Sequence, residues 1–246
     1  MKSVAANDPR RLTFEVFRFN PADPDSSPQM QRFEVEETDY GLKITALRHM
    51  EHGQTHVRIT NQIFPEAICI PMSNEMTITQ WHVPIDDENC YWYSMFTSFG
   101  DPVNKDLMRE QRMKEHRLPD YAPLKNKRNN YGYDPKEQSR ETYTGMGMDI
   151  NVHDQWAVES PGPIFDRTKE HLGKTDVGII KYRKILREAI ASLDEDGAAL
   201  KMQNGSTEAI TGPISVDAIS MDADWTKVYE ARDRDRRATC DWIADT

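Results

Sequence analysis

The segment "NVHDQWAVESPGPIFDRTKEHLG", residues 151 to 173, gathers His153, Asp154, Glu159, Asp166, Arg167 and Glu170 around a Pro161-Gly162-Pro163 break. Imidazole and carboxylate are the side chains that ligate transition metals and move protons near neutral pH. Asp154 is the residue such chemistry singles out, as an oxygen ligand to a metal ion. A carboxylate in the first turn of a helix is also favoured by the helix dipole with no metal present, so both accounts stand on the residues alone. His153 adds little to the first account, because adjacent helical residues point about 100° apart and do not share one ion. Asp166, Arg167, Glu170 and Asp176 read equally well as caps and neighbouring ion pairs.

Two further clusters bear on the same chemistry. "HMEHGQTH" supplies His49, His52 and His56; two His with a carboxylate from elsewhere form the facial triad of non-haem iron oxygenases. The cluster also straddles a turn at Gly53, where exposed His need no metal. "HVPIDDEN" holds His82, Asp86 and Asp87 at a strand end, and paired Asp in a turn ordinarily cap backbone N–H groups. The cysteines Cys69, Cys90 and Cys240 form no close pair and none is followed within three positions by His. They therefore cannot make the Cys-x-His and Cys-x-x-His pairs of a Rieske cluster, and no [2Fe-2S] cluster is expected in this chain. No glycine-rich phosphate loop, zinc spacing or nucleophile elbow is present. No catalytic residue and no organic cofactor-binding residue is assigned.

The elements that must position these groups follow from periodicity. From Leu12 to Phe99 apolar residues alternate in short runs between turn residues, the pattern of a half-buried antiparallel sheet of six or seven strands. "LTFEVFRF" puts Leu12, Phe14 and Val16 on one face, and "NPADPDSSP" after it is a loop. Residues 100 to 150 are polar and broken by Pro119, Pro123 and Pro135; they predict a short helix near 105 to 116 and a long loop, either a lid, a subunit contact or a surface excursion. In 151 to 195, Asp166 caps a short helix that Gly173 ends, and Thr175 or Asp176 caps a long one. Along the long helix Ile179, Tyr182, Leu186, Ala189 and Leu193 form an apolar stripe, with Lys181, Lys184, Arg187 and Glu188 off it. That helix should lie across one face of the sheet. Residues 196 to 246 weaken into a tail, although Trp225, Tyr229 and Trp242 imply that its end packs down.

The expectation is one α+β domain over 1–246, sheet on one side and helix on the other. Trp81, Trp92, Tyr91, Tyr93, Met76, Met95 and Phe96 alternate on the late strands. One face of that set either lines an apolar pocket for a small aromatic ligand or is ordinary core. A net charge of −10, from 41 acidic against 31 basic residues, offers no basic face for a phosphate backbone, so no nucleic acid is expected as partner. No apolar run approaches the roughly 18 residues a membrane span requires, and "MKSVAANDPRR" lacks the apolar core of a secretory signal. With sparse, unpaired thiols, this points to a cytoplasmic protein without a membrane partner.

The order "FEVEETDYGLKITALR", "HVRITNQIFP", "HVPIDDENCYWY" and "DINVHDQWAVESPGPIFDRTKEHLGKTDVGIIKYRKIL" resembles the C-terminal catalytic domain of Rieske non-haem iron oxygenases, the aromatic ring-hydroxylating α subunits of phthalate dioxygenase type. The likeness runs from about Phe33 to Leu193, and its most specific part is the last motif, with Asp154, Gly162-Pro163-Ile164, Asp166-Arg167, Glu170, Leu172-Gly173 and Asp176 in order. The resemblance implies a helix-grip (START-like) fold, a curved antiparallel sheet packed on a long C-terminal helix. It implies mononuclear Fe(II) bound by two His and one Asp, the Asp falling on Asp154. Dioxygen and a small aromatic substrate, in this family often an acid, would meet at the iron, leading to hydroxylation or demethylation. Electrons would arrive from a reductase through a Rieske cluster, normally of the neighbouring subunit in a homo-oligomer that the family likeness makes a trimer. The family's Rieske domain and its Asp-x-x-His-x(4)-His segment have no counterpart here, and no His lies between Met1 and Phe33. The ligand set is thus incomplete in this chain, which leaves three readings: a half that joins a separate Rieske- and His-bearing chain and is inactive alone, a non-catalytic helix-grip module binding a small aromatic, or a truncated remnant.

Overall fold

Alternation at period two makes the first part of the chain a sheet, because each strand then has an apolar face to bury. The computed structural model describes residues 11–18, 29–196, 212–221 and 224–239. The loop "NPADPDSSP", the side chains of Phe14 and Val16, Cys240 and Trp242 lie outside the described residues. Two compact units divide the chain: Met1–Val83 with Tyr91–Pro102 and His171–Thr246, and Pro84–Cys90 with Val103–Glu170. In the first, β1 (Arg11–Arg18), β2 (Gln29–Thr38), β3 (Gly41–His49), β4 (Thr55–Ile63), β5 (Ala67–Pro71), β6 (Met76–Pro84) and β7 (Cys90–Ser98) lie side by side in sequence order. The pairings from β1 through β6 are antiparallel.

The longer part of the second unit follows β7. It contains α1 (Lys105–Glu115), the two-residue strands β8 (His116–Arg117) and β9 (Ala122–Pro123), α2 (Pro135–Arg140) and α3 (Ile150–Glu159). The predicted helix near 105 to 116 is α1, opened by the Asn104 side chain accepting from the Leu107 N–H at 3.0 Å. What the prolines suggest to be loop is a series of short, individually capped turns. Asn126 opens a 3-10 stretch, Lys127–Gly132, through a reciprocal bond with Asn129, and Asp134 caps α2 at the Lys136 N–H. Tyr131, Met146 and Val152 form this unit's buried cluster.

The chain then returns to the first unit as α4 (Val177–Asp196), β10 (Val216–Ser220) and α5 (Thr226–Ala238). Asp176 sits just before α4 and accepts from the Gly173 N–H at 2.8 Å. Gly173, expected to end a helix, instead opens the 3-10 turn Lys174–Asp176. Gly178 of α4 faces Ile44 and Val35, where a methyl would meet them at 3.8 Å. The buried line of α4 is rotated from the predicted stripe: Lys181 is buried at 7% exposure while Ile179 is 46% exposed. Lys181 stays inside because its alkyl stem packs as an apolar group while its ammonium reaches Glu37 at 3.3 Å.

β10 and α5 arise from the stretch whose pattern suggests a tail. β5 pairs β4 only at Asn61 to Ile63, leaving the β4 edge at Thr55 to Ile59 for β10, since an unpaired edge carries unsatisfied backbone groups. The register sets Val57 between Leu47 and Ala218, and Ile59 beside Val216. These residues with Ile214 form the buried core on which Trp225, Val228 and Tyr229 pack. Because α4 covers the Val35 and Ile44 face and α5 the Leu47 and Val57 face, both faces carry a helix, a correction to sheet on one side and helix on the other. The class is mixed α+β around an antiparallel sheet. Among the described residues no helix is long and apolar enough to cross a membrane.

Candidate functional site

Asp149 fixes α3. Its carboxylate caps the Asn151 N–H at 2.9 Å and receives the Arg112 guanidinium of α1 at 2.5 Å. Asp154 therefore lies in the second turn of α3 and not in the first, so the dipole of the helix start does not account for it. Its side chain is exposed. His153 is committed elsewhere, with Nε2 2.8 Å from the Gly147 carbonyl and 2.9 Å from the Thr144 hydroxyl. A carbonyl only accepts, so Nε2 carries the hydrogen, and a neutral ring then keeps its lone pair on Nδ1. Further along α3, Glu159 accepts from the Tyr131 hydroxyl at 2.7 Å and from Gln155 at 2.9 Å. Burial first, and then Glu159, push the Tyr131 phenol up to about 12.

The remaining residues of the motif take the plainer of their two readings. Asp166 caps the Thr168 N–H at 3.1 Å, Lys169 lies 3.3 Å from Asp166, and Arg167 lies 3.4 Å from Glu170. The Thr168 hydrogen bonds hold the Asp166 carboxyl below its ordinary range.

The histidine turn does not converge. His49 opposes Thr55 and His56 opposes Arg48, so the pleat sends His49 and His56 to opposite faces. His56 is held by Asp217 of β10 at 2.6 Å and by Arg48 at 3.2 Å, while His52 is exposed with φ 59°. Asp86 caps the Glu88 and Asn89 N–H groups at 2.8 and 2.7 Å, as a turn carboxylate does; Asp87 is exposed beside it. Among the described residues no group of three His, Cys, Asp or Glu could hold a metal ion.

The aromatic residues of the late strands split by face. Tyr91, Tyr93 and Met95 are more than half exposed. Trp92 turns the other way, its ring 5.2 Å from that of His82. Periodicity misses a cavity of about 340 Å³ within the second unit, walled by Tyr133, Tyr143, Met146 and Trp156. The signal for it was the density of aromatic residues around "YGYD" and "TYTG", which a loop reading discards.

Comparison with known proteins adds what geometry alone does not. Residues 21–241 match the family described as LigXa C-terminal domain like. The chain is 31% identical over 220 residues to the phthalate 4,5-dioxygenase oxygenase subunit of Pseudomonas putida, a match covering 85% of this chain and 48% of that protein. It is 24% identical over 216 residues to the 3-chlorobenzoate-3,4-dioxygenase oxygenase subunit of Comamonas testosteroni, covering 80% and 50%. A match at 25% over 183 residues, covering 70% and 35%, is to the tert-butanol monooxygenase / tert-amyl alcohol desaturase oxygenase subunit of Aquincola tertiaricarbonis. The chain spans about half the length of the first two relatives or less of the third. With the ordered motif from Asp154 to Asp176 inside the matched residues, the chain belongs to the LigXa C-terminal domain-like family, within the Rieske oxygenase α subunits of phthalate dioxygenase type, and represents their C-terminal catalytic domain.

Proposed function

We propose that the chain is the catalytic-domain portion of a ring-hydroxylating oxygenase that uses dioxygen to hydroxylate or demethylate a small aromatic, acid-bearing substrate, with Asp154 as one ligand to a mononuclear ferrous iron. The observation that carries this reading is Asp154 itself: an exposed carboxylate on a helix braced by Asp149 and Arg112, within the residues that match the family. The names of the relatives, two of them dioxygenases of benzenoid acids, support the substrate class. The described residues do not by themselves make a metal site of three donors. The other two ligands, histidines by family likeness, would come from polypeptide outside these residues. The same reading takes the sheet with α4 as a helix grip, and a Rieske-bearing partner, a reductase and a homo-oligomeric, trimeric assembly in the cytoplasm as the working context.

The test is reconstitution. The chain is purified alone and with a polypeptide carrying the Rieske cluster and the iron histidines, and bound iron and substrate-dependent oxygen uptake are measured. Stoichiometric iron is expected only in the reconstituted complex, and Asp154→Ala should lower it at least tenfold, the range found when a ligand or its support is removed. Iron held by the isolated chain and retained in Asp154→Ala overturns the assignment.

A further inference from the structure

The cavity of about 340 Å³ in the second unit is not accounted for by the iron reading. On a helix, Trp156 is two residues and about 200° beyond Asp154, so the cavity that Trp156 walls lies on a different side of α3 from the proposed ligand. Its position is tied to His153, which shares the Trp156 side and bonds Thr144 of the cavity lining at 2.9 Å.

The polar groups of the lining are largely engaged with one another. The Tyr133 hydroxyl donates to Gln138 Oε1 at 2.7 Å, Gln138 Nε2 donates to the Tyr143 carbonyl at 3.3 Å, and Thr144 is held by His153. Among the described residues no ionised side chain lines the space. The residues it offers a ligand are Tyr133, Tyr143, Met146 and Trp156, with Asn130. Tyr143 is 96% and Trp156 45% exposed, so apolar surface is available to be covered. The volume sits at the small end of ligand sites, roughly 300 to 1,000 Å³.

We propose that the second unit carries a binding site for a small uncharged aromatic molecule, stacked against Tyr133, Tyr143 and Trp156 and separate from the Asp154 site. A benzenoid carboxylate would lose hydration here with no cation among the lining residues to replace it. A quaternary ammonium would find the ring faces attractive but no carboxylate in the lining to balance its charge.

Equilibrium dialysis of the full chain with benzyl alcohol, benzoate and benzyltrimethylammonium tests the site. Benzyl alcohol should bind saturably at one site and the two ions more weakly. Tyr143→Ala should weaken benzyl alcohol roughly tenfold, the scale of one lost aromatic contact with its buried area, and Tyr143→Phe should leave it near the original value. Because Tyr143 is almost fully exposed, its substitution does not threaten the fold, and circular dichroism checks this. Asp154→Asn should leave benzyl alcohol binding unchanged. Tighter binding of either ion, no saturable benzyl alcohol binding, or binding indifferent to Tyr143→Ala overturns the proposal. An equal loss in Asp154→Asn also overturns it, since the probe would then sit at the metal's position.

Discussion

His153 and Asp154 are neighbours in sequence with different fates, decided by what each meets. The imidazole is anchored by Thr144 and Gly147, while the next residue on the helix is turned to the exposed side. The type of Asp154 and its family motif are what single it out in the sequence as the proposed ligand. The anchoring of His153 was not legible there, because it depends on a turn at Thr144 to Gly147 whose path no periodicity encodes. Asp149 is the cap of α3: an Asp directly before "INVHDQW" is an ordinary helix start, and it sets the helix a full turn ahead of Asp154. Tyr131 is held in the left-handed region at φ 56°, between Asn130 at 52° and Gly132 at 68°. Such a conformation costs of order 1 to 3 kcal/mol per non-glycine residue and persists only where surrounding contacts fix it. The Tyr131 hydroxyl bond to Glu159 is one of those contacts. Tyr131→Phe keeps the buried ring and removes the bond, so a loss of about 1 kcal/mol is expected in denaturant unfolding. Faster hydrogen exchange at Val152 and His153 should accompany it. Unchanged stability and exchange would mean that ring packing alone holds the turn.

At the scale of elements, the strands from β1 to β7 were legible because alternation repeats over eight to ten residues in most of them. β10 and α5 were not. "VDAIS" alternates for only five residues, and its place on β4 is set by the edge that β5 leaves open, a fact of tertiary structure. In α5, "TKVYEARDRDRRA" has too thin an apolar stripe to signal burial, and its docking is completed by a polar group. Arg236, 4% exposed, donates to the Ser215 carbonyl and, at 2.8 Å, to the Asn74 carbonyl, with its guanidinium 4.7 Å from the Phe99 ring centre. A single side chain thus ties α5 to the lead-in of β10, the β5–β6 turn and the end of β7. Arg236→Ala leaves the buried Ser215 carbonyl and the part-buried Asn74 carbonyl without this donor and removes the ring contact, so unfolding should cost about 3 kcal/mol less. Limited proteolysis should cut first near α5 in that variant. A loss under about 1 kcal/mol would show that the apolar contacts of Trp225, Val228 and Tyr229 suffice.

For the whole molecule, buried phenols in both units give folding a shared dependence on high pH. Burial first, and then the neighbouring Tyr229, keep the Tyr40 hydroxyl protonated well above the ordinary tyrosine range; it donates to Asn61 at 2.7 Å. Burial first, and then Asp233, raise Tyr229 to about 12, and Tyr131 of the second unit rises to about 12 by burial and Glu159. An unfolded tyrosine releases its proton near 10.0. Between that pH and about 12 the folded chain therefore binds more protons than the unfolded chain, and stability must fall as pH rises. Below this window the phenols are protonated in both states and contribute no slope. Urea midpoints measured at fixed salt should accordingly be set by other groups up to about pH 9.5 and then decline steadily toward pH 12. The variant carrying Tyr40→Phe, Tyr131→Phe and Tyr229→Phe removes the three proton-binding sites while keeping the rings, so its alkaline decline should be much shallower than that of the parent, even if its stability at pH 8 is lower for want of the hydroxyl bonds. Parallel declines in the two proteins would assign the alkaline loss to the ion pairs of the surface.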